Sequence, residues 1–328
     1  MPVLLESLIQ QLPSDTSERV QKARDRFNNR IREALRRETR LSFRRRADER
    51  DSQRQENIGV PIAVVPGLPS ALHSVERRSI EDKHQLAALL SPYRQILLGL
   101  RDNGSLATQK LVPALIGAPL ASGLLDGREQ SIAAVTAYAD FLLGRLTEFD
   151  LTKFILDVDE DVLGVYSYRV SSYFDDPNPR IELYWGIIGL VARDLGVEIE
   201  DLTCVVLTHE LAHAYTHVGS DADDHFWPSG KFAESAKVLK EGLAQYYTAL
   251  VCGRAEKWAP RAFAAYEKLL PKQPDIYCAH CEWVAEPEWV RLAMLEIRRS
   301  SAPGSIERFK ECLERAFERL GATGTTDE

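Results

Sequence analysis

The segment Asp201 to Tyr215 carries two histidines four residues apart inside an apolar run, and that pairing leaves it few ways to fold. At 3.6 residues per turn, His209 and His213 stand one above the other on a single helix face. Leu202, Val205, Val206, Leu211, Ala212 and Ala214 leave little of the remaining surface polar, so the helix is expected to be buried. Asp201 gives it an acidic start, and Gly219 with the polar stretch Ser220 to Asp224 stops it. Two imidazoles in such company are costly unless something satisfies them, and a metal ion held by both would do so. The chain has only seven histidines, four of them between positions 209 and 225, so the pair does not simply follow from a histidine-rich composition.

Glu210 completes the pattern H-E-x-x-H. It lies beside the histidine stripe, where its carboxylate can reach a metal-bound water without occupying the metal, as a general base must. Two histidines are not a complete site, because a catalytic zinc usually takes three protein ligands and keeps a fourth position for water. His217 continues the stripe, but eight residues put it roughly 12 Å along the axis from His209, too far to share one ion. The metzincin pattern is excluded, since Thr216 and Gly219 stand where it requires a glycine and a third histidine. Glu241 is the better third ligand. It sits among Val238, Leu239, Leu243 and Ala244 in a second segment of helical period, and an ionised group is rarely left there without a partner.

With His209, Glu210, His213 and Glu241-Gly242-Leu243-Ala244 in place, the chain resembles the gluzincins, zincin metallopeptidases that combine H-E-x-x-H on one helix with a glutamate ligand on the next. The resemblance covers roughly residues 150 to 300. Within it, Val162 to Tyr168 and Arg180 to Trp185 look like the sheet of a compact gluzincin core, the second like the edge strand that holds extended substrate. One departure is Gln245, where thermolysin-like members place an aspartate that accepts the N–H of a ligating histidine. A neutral amide raises ligand basicity less than a carboxylate would. Zincins also recruit a tyrosine, histidine or arginine from beyond the glutamate helix to stabilise the oxyanion. Tyr246, Tyr247, Tyr277, His280 and Arg291 are eligible, and Tyr277 is favoured because Pro271 to Ile276 forms a loop able to fold over a cleft.

The fold expected is α+β and mostly helical: a zincin-like catalytic core with a small twisted sheet and an active-site helix, plus a helical amino-terminal extension. Residues 1–57 read as a basic polar helix, 58–149 as a helical domain, 150–320 as the metallopeptidase domain and 321–328 as a flexible tail. From Asp15 to Glu56 there are 14 Lys and Arg against 9 Asp and Glu, a net of +5 in a chain whose total is −8. Val20, Phe27, Ile31, Ala34, Leu35 and Leu41 recur through that stretch at near-heptad spacing, as in one long helix with a narrow apolar seam. Such a seam packs on the protein's own body, on a second copy or on a partner. Arg36, Arg37, Arg40 and Arg44 to Arg46 invite a nucleic-acid reading, but the acids interspersed among them favour a solvated, ion-paired face. Ile58 to Pro69, with three prolines, reads as a linker or short edge strand, and residues 75–149 as three or four helices.

No cationic start followed by an apolar stretch opens the sequence, and the longest apolar run, Leu111 to Leu125, is broken by Pro113 and Pro119. No membrane span is expected, and five cysteines, an odd number, suit a reducing, cytoplasmic setting. Cys278 and Cys281 form a lone C-x-x-C without a second pair at ligand spacing. Two histidines and a carboxylate also suit non-haem iron, and Glu210 in its H-E-x-x-H setting tips the choice to Zn2+. The function expected is a zinc-dependent endopeptidase acting on a protein or peptide substrate. Its alternatives are an aminopeptidase and a non-catalytic zinc-containing scaffold that works through the basic helix.

Overall fold

The computed structural model describes residues 4–46, 55–57, 59–72, 150–158, 161–170, 177–283 and 286–321, together with 97, 98, 101, 137 and 139–144. Two compact units divide the chain, Met1–Leu12 with Leu72–Ile155 and Pro13–Ala71 with Leu156–Glu328. In the first, helices at Leu4–Gln10 and Leu151–Leu156 bury Leu5, Leu8, Leu151 and Ile155. Most of the three or four helices expected over residues 75–149, like the tail after Gly321, lies outside the described residues.

The second unit contains the histidine motif, and it also takes in most of the basic segment. Helix α1 (Thr16–Thr39) buries Val20, Ala23, Phe27, Ile31, Ala34 and Leu35, so the apolar seam packs on the chain's own body. Polar contacts complement the seam. Arg19 donates to Glu200 and Glu198 at 2.7 and 3.0 Å, the Arg254–Glu38 ion pair closes at 2.5 Å, and the Tyr215 hydroxyl donates to the Arg32 carbonyl at 2.9 Å. The single helix expected through residue 56 ends earlier. Arg40 turns into the left-handed region at φ 57°, and the Thr39 hydroxyl donates to the Leu35 carbonyl while accepting the Leu41 N–H. Beyond this cap the chain forms a short antiparallel ribbon of β1 (Arg44–Arg46) and β2 (Gln55–Asn57).

A three-stranded sheet comes next, ordered β3-β5-β4, from β3 (Ile62–Val65), β4 (Gly164–Val170) and β5 (Pro177–Tyr184). β3 runs parallel to β5 with Ile62 opposite Ile181, and β4 runs antiparallel to it with Tyr166 opposite Ile181. The segment around Arg180 to Trp185 is therefore the middle of the sheet, not its edge. The proline-flanked Ile62–Val65 supplies the parallel neighbour, because proline is tolerated where a strand begins and ends. Arg24 and Arg32 of α1 donate to the Ile62 and Val60 carbonyls at 3.2 and 2.8 Å, which fixes this strand to the basic helix. β4 lies at the edge.

Helix α2 (Trp185–Leu195) leads into α3 (Ile199–Val218), which carries the motif and whose residues are all buried except Glu200. A helix buried on every side is a core helix. Thr203, Thr208 and Thr216 satisfy their hydroxyls on carbonyls four residues back, at 2.7 to 2.9 Å, so none is left unpaired inside. After the short α4 (Ser229–Glu234), α5 (Lys237–Gly253) returns against α3. Helix α6 (Ala262–Leu269), a 3-10 helix (Asp275–Glu282), α7 (Pro287–Arg299) and α8 (Ile306–Gly321) complete the unit. The described chain is thus α+β, mostly helical with a small three-stranded sheet and a two-stranded ribbon. Among the described residues no helix is long and apolar enough to cross a membrane.

Gly242 follows the candidate ligand Glu241 for a packing reason. A Cβ there would stand 2.7 and 2.8 Å from the Trp283 ring, which closes over α5. Gly242→Ala should destabilise the protein by about 1–3 kcal/mol through overpacking, offset only in part by the roughly 1 kcal/mol that alanine gains in a helix interior. Chemical denaturation measures the balance, and an unchanged midpoint would remove the Trp283 contact as the reason for glycine.

Candidate metal centre

Helices α3 and α5 place three of the expected ligands together. His209 Nε2 and His213 Nε2 lie 3.1 Å apart, and Glu241 Oε2 is 3.4 and 3.1 Å from them respectively. All three side chains are buried. A fourth group joins them from the chain just before β4: Asp161 Oδ1 lies 3.7 Å from His209 Nε2, and Oδ2 lies 3.7 Å from His213 Nε2. Ligand atoms at about 2.0–2.1 Å around a tetrahedral zinc are separated by roughly 3.3 Å, so these distances suit one ion.

The charge balance points the same way. Lone pairs from two imidazoles and two carboxylates converge on one point, with the buried Glu210 carboxyl beside it. No lysine or arginine pairs with Asp161, Glu210 or Glu241 among the described residues, and buried like charges are costly unless a cation joins them. Burial alone would push the His209 imidazole down, but Asp161 and Glu241 outweigh it and hold its protonated form well above the usual histidine range. Burial likewise opposes ionisation of Glu241, yet His213 and His209 keep it ionised well below the usual carboxylate range. In the metal-free protein a proton on His209 thus stands in for a cation.

That proton gives metal uptake a sign. An ion must displace it, so affinity should rise with pH through neutrality, by about tenfold per unit for each proton released, and fall on acidification. Competition titrations of Co2+ at several pH values check this, and an affinity flat across that range would contradict it.

Glu210 is separate from the ligand cluster. It lines a cleft with His209, Tyr277 and the apolar Leu163, Val206 and Leu269. Burial first, and the Asp161 charge second, raise its carboxyl well above the usual range, and its Oε2 is buried with no partner. Gly164 of β4 makes room for it: a Cβ there would meet Glu210 Cγ at 2.7 Å. The strand backbone and the Glu210 side chain are therefore in close contact, which requires glycine at this point of the strand.

Of the five oxyanion candidates, only Tyr277 lines that cleft, its ring 6.0 Å from that of His209. Its hydroxyl is occupied, donating to Asp161 Oδ1 at 2.7 Å. Tyr246 packs on Tyr247 and Trp283, the Tyr247 hydroxyl is buried, His280 bonds the Tyr266 hydroxyl at 2.7 Å, and Arg291 pairs with Glu288. Gln245 does not orient a ligating imidazole; its amide donates to Gln273 at 3.0 Å, and its Oε1 and His209 Nδ1 are both buried without partners. His217 is held apart from the cluster, 2.8 Å from the Tyr166 hydroxyl and 3.1 Å from Ser229 Oγ, with its ring stacked on Phe232. Cys278 and Cys281 remain thiols, and neither metal-holding grouping among the described residues includes them.

Asp161 is the residue that sequence reasoning missed. It ends an acidic run, Asp157 to Asp161, 48 positions before His209, and no spacing ties it to the helix motif. Its one signal is an acid directly before the apolar Val162-Leu163-Gly164. Comparison of the chain with protein-family models, with curated proteins and with solved structures gave no match.

Proposed function

We propose that this chain is a zinc-dependent endopeptidase of the gluzincin type, acting on a protein or peptide in the cytoplasm. The observation that carries the reading is the convergence of His209 Nε2, His213 Nε2 and Glu241 Oε2 within 3.4 Å, with Glu210 lining the same cleft as His209 and Asp161. A structural site needs no such base. The zincin-like core is part of the proposal and is supported by a buried motif helix, a second helix carrying the glutamate, and a small sheet whose edge strand touches Glu210 through Gly164.

In this reading His209, His213 and Glu241 hold the ion, which when bound supplies Lewis acidity toward a carbonyl oxygen and acidifies a water. Glu210 takes the proton from the attacking water and returns it to the leaving amine. Its raised proton affinity suits both tasks, since a base poised nearer neutrality can accept and release a proton in one cycle. The cleft, with Leu163, Val206 and Leu269 as its apolar wall, accepts one side chain of the substrate. β4, the edge strand, takes the role of binding extended peptide by adding it to the sheet.

A second reading, a zinc-holding scaffold without catalysis, is favoured by one observation. Asp161 stands where a fourth ligand would stand. Incubating a peptide library with wild type and with Glu210→Gln separates the two. New internal termini with wild type alone support the endopeptidase, stepwise loss of single amino-terminal residues the aminopeptidase, and identical patterns the scaffold. Nucleic-acid binding is not part of the proposal; of the arginines that invited it, Arg37 pairs with Glu38 of its own helix.

A further inference from the structure

We infer that Asp161 is a removable fourth ligand, which closes the metal centre and withholds the Tyr277 hydroxyl at the same time, so that the conformation described is self-inhibited. The consequence for catalysis rests on the hydrolase reading above; the ligand role does not.

Three observations carry it. The first is position. Each Asp161 oxygen lies 3.7 Å from one imidazole nitrogen, close to the separation expected between ligands of one tetrahedral ion, and one of those oxygens is held by Tyr277 at 2.7 Å. The second is the difference in burial within the set. The Asp161 side chain is 21% exposed, against 6% to 8% for His209, His213 and Glu241. A carboxylate already in contact with water leaves at lower cost than one that must be hydrated anew. The residue stands three positions before an edge strand, whose shift would disturb one ladder and not two.

The third observation is Glu210. A permanently closed set of four protein ligands leaves no place for water, and a buried carboxyl with one oxygen unpaired then has no task. Its presence beside a closed cluster is accounted for if the cluster opens. Movement of Asp161 would vacate the coordination position and free the Tyr277 hydroxyl in one step. Tyr277 is thus a positioning residue while Asp161 is bound, and a donor for the developing oxyanion once it leaves.

The test needs no substrate. The full-length protein is loaded with Co2+, and acetohydroxamate, a small metal-binding anion, is titrated while the visible spectrum of the cobalt is followed. If the open form makes up about 1% of the wild type, its apparent affinity for the probe should be about 100-fold weaker than that of Asp161→Ala. Tyr277→Phe, which loses the hydrogen bond but keeps the ring, should fall between them. Asp161→Asn provides the same comparison with the side chain's shape retained, should the alanine variant fail to fold. Equal probe affinity in wild type and the Asp161 variants would overturn the proposal. If that happens while Glu210-dependent cleavage is observed, the hydrolase reading stands without this device. Wild type that takes up no cobalt defeats both.

Discussion

Glu210→Gln should lower peptide cleavage by about 10²- to 10⁴-fold, the usual contribution of a positioned general base, while metal content stays at the wild-type level. The substitution keeps the shape of the side chain and removes only its ability to carry a proton back and forth. A second effect has the opposite direction. Burial raises the Glu210 carboxyl well above its ordinary value, so between the unfolded and the folded value the native state binds more protons than the unfolded one. Stability from this group is therefore present at acid pH and is lost as pH rises through that window. In metal-free protein, Glu210→Gln should be the more stable variant at neutral pH, with the gap closing on acidification. Denaturation curves at two pH values measure it, and a variant less stable at both would show that the carboxylate has a partner not accounted for.

Metal should also stabilise the fold, and strongly. Asp161, Glu210 and Glu241 place three carboxyls, the last two buried, around two imidazoles, an arrangement whose repulsion a divalent ion relieves. An ion that binds the native state alone stabilises it by roughly 4 kcal/mol at a concentration 1,000 times its dissociation constant. For a unit of this size that corresponds to a rise of about 10 °C in the melting midpoint. His213→Ala should abolish the response, since it removes the ligand nearest to Glu241. Glu241→Gln should weaken it, because a neutral amide replaces the ligand that both imidazoles hold ionised. A shift of equal size in wild type and His213→Ala would place the stabilising ion elsewhere, and Asp221 with the exposed Asp223 and His225 would be the next residues to replace.

The centre was legible where it depends on helical period. His209 and His213 share a face by spacing alone, and Glu241 stands out because an ionisable residue inside an apolar helical run needs a partner. Asp161 was not legible, because its place depends on how β4 docks against α3, a contact between segments far apart in the chain. The task of Tyr277 was hidden for the same reason: its hydroxyl answers to Asp161, 116 positions away.

The sheet follows the same division. β4 and β5 are expected in the sheet from the resemblance, but which of them lies at the edge is decided by β3. That strand, flanked by Pro61 and Pro66, reads as a linker or short edge strand, and its parallel pairing with β5 makes it the second edge of the sheet. The seam of α1 was readable from Val20 to Leu35, and its end was not. Arg40 adopts a left-handed cap that favours glycine or asparagine in most helices, so composition gave no stop signal.

Metal analysis of the purified protein tests the central claim most directly. Wild type should carry one divalent ion per chain, with zinc the expected metal, and His213→Ala should carry almost none while remaining folded. An absence of bound metal in wild type after incubation with Zn2+, or equal metal in both proteins, would contradict a centre built on His209, His213 and Glu241.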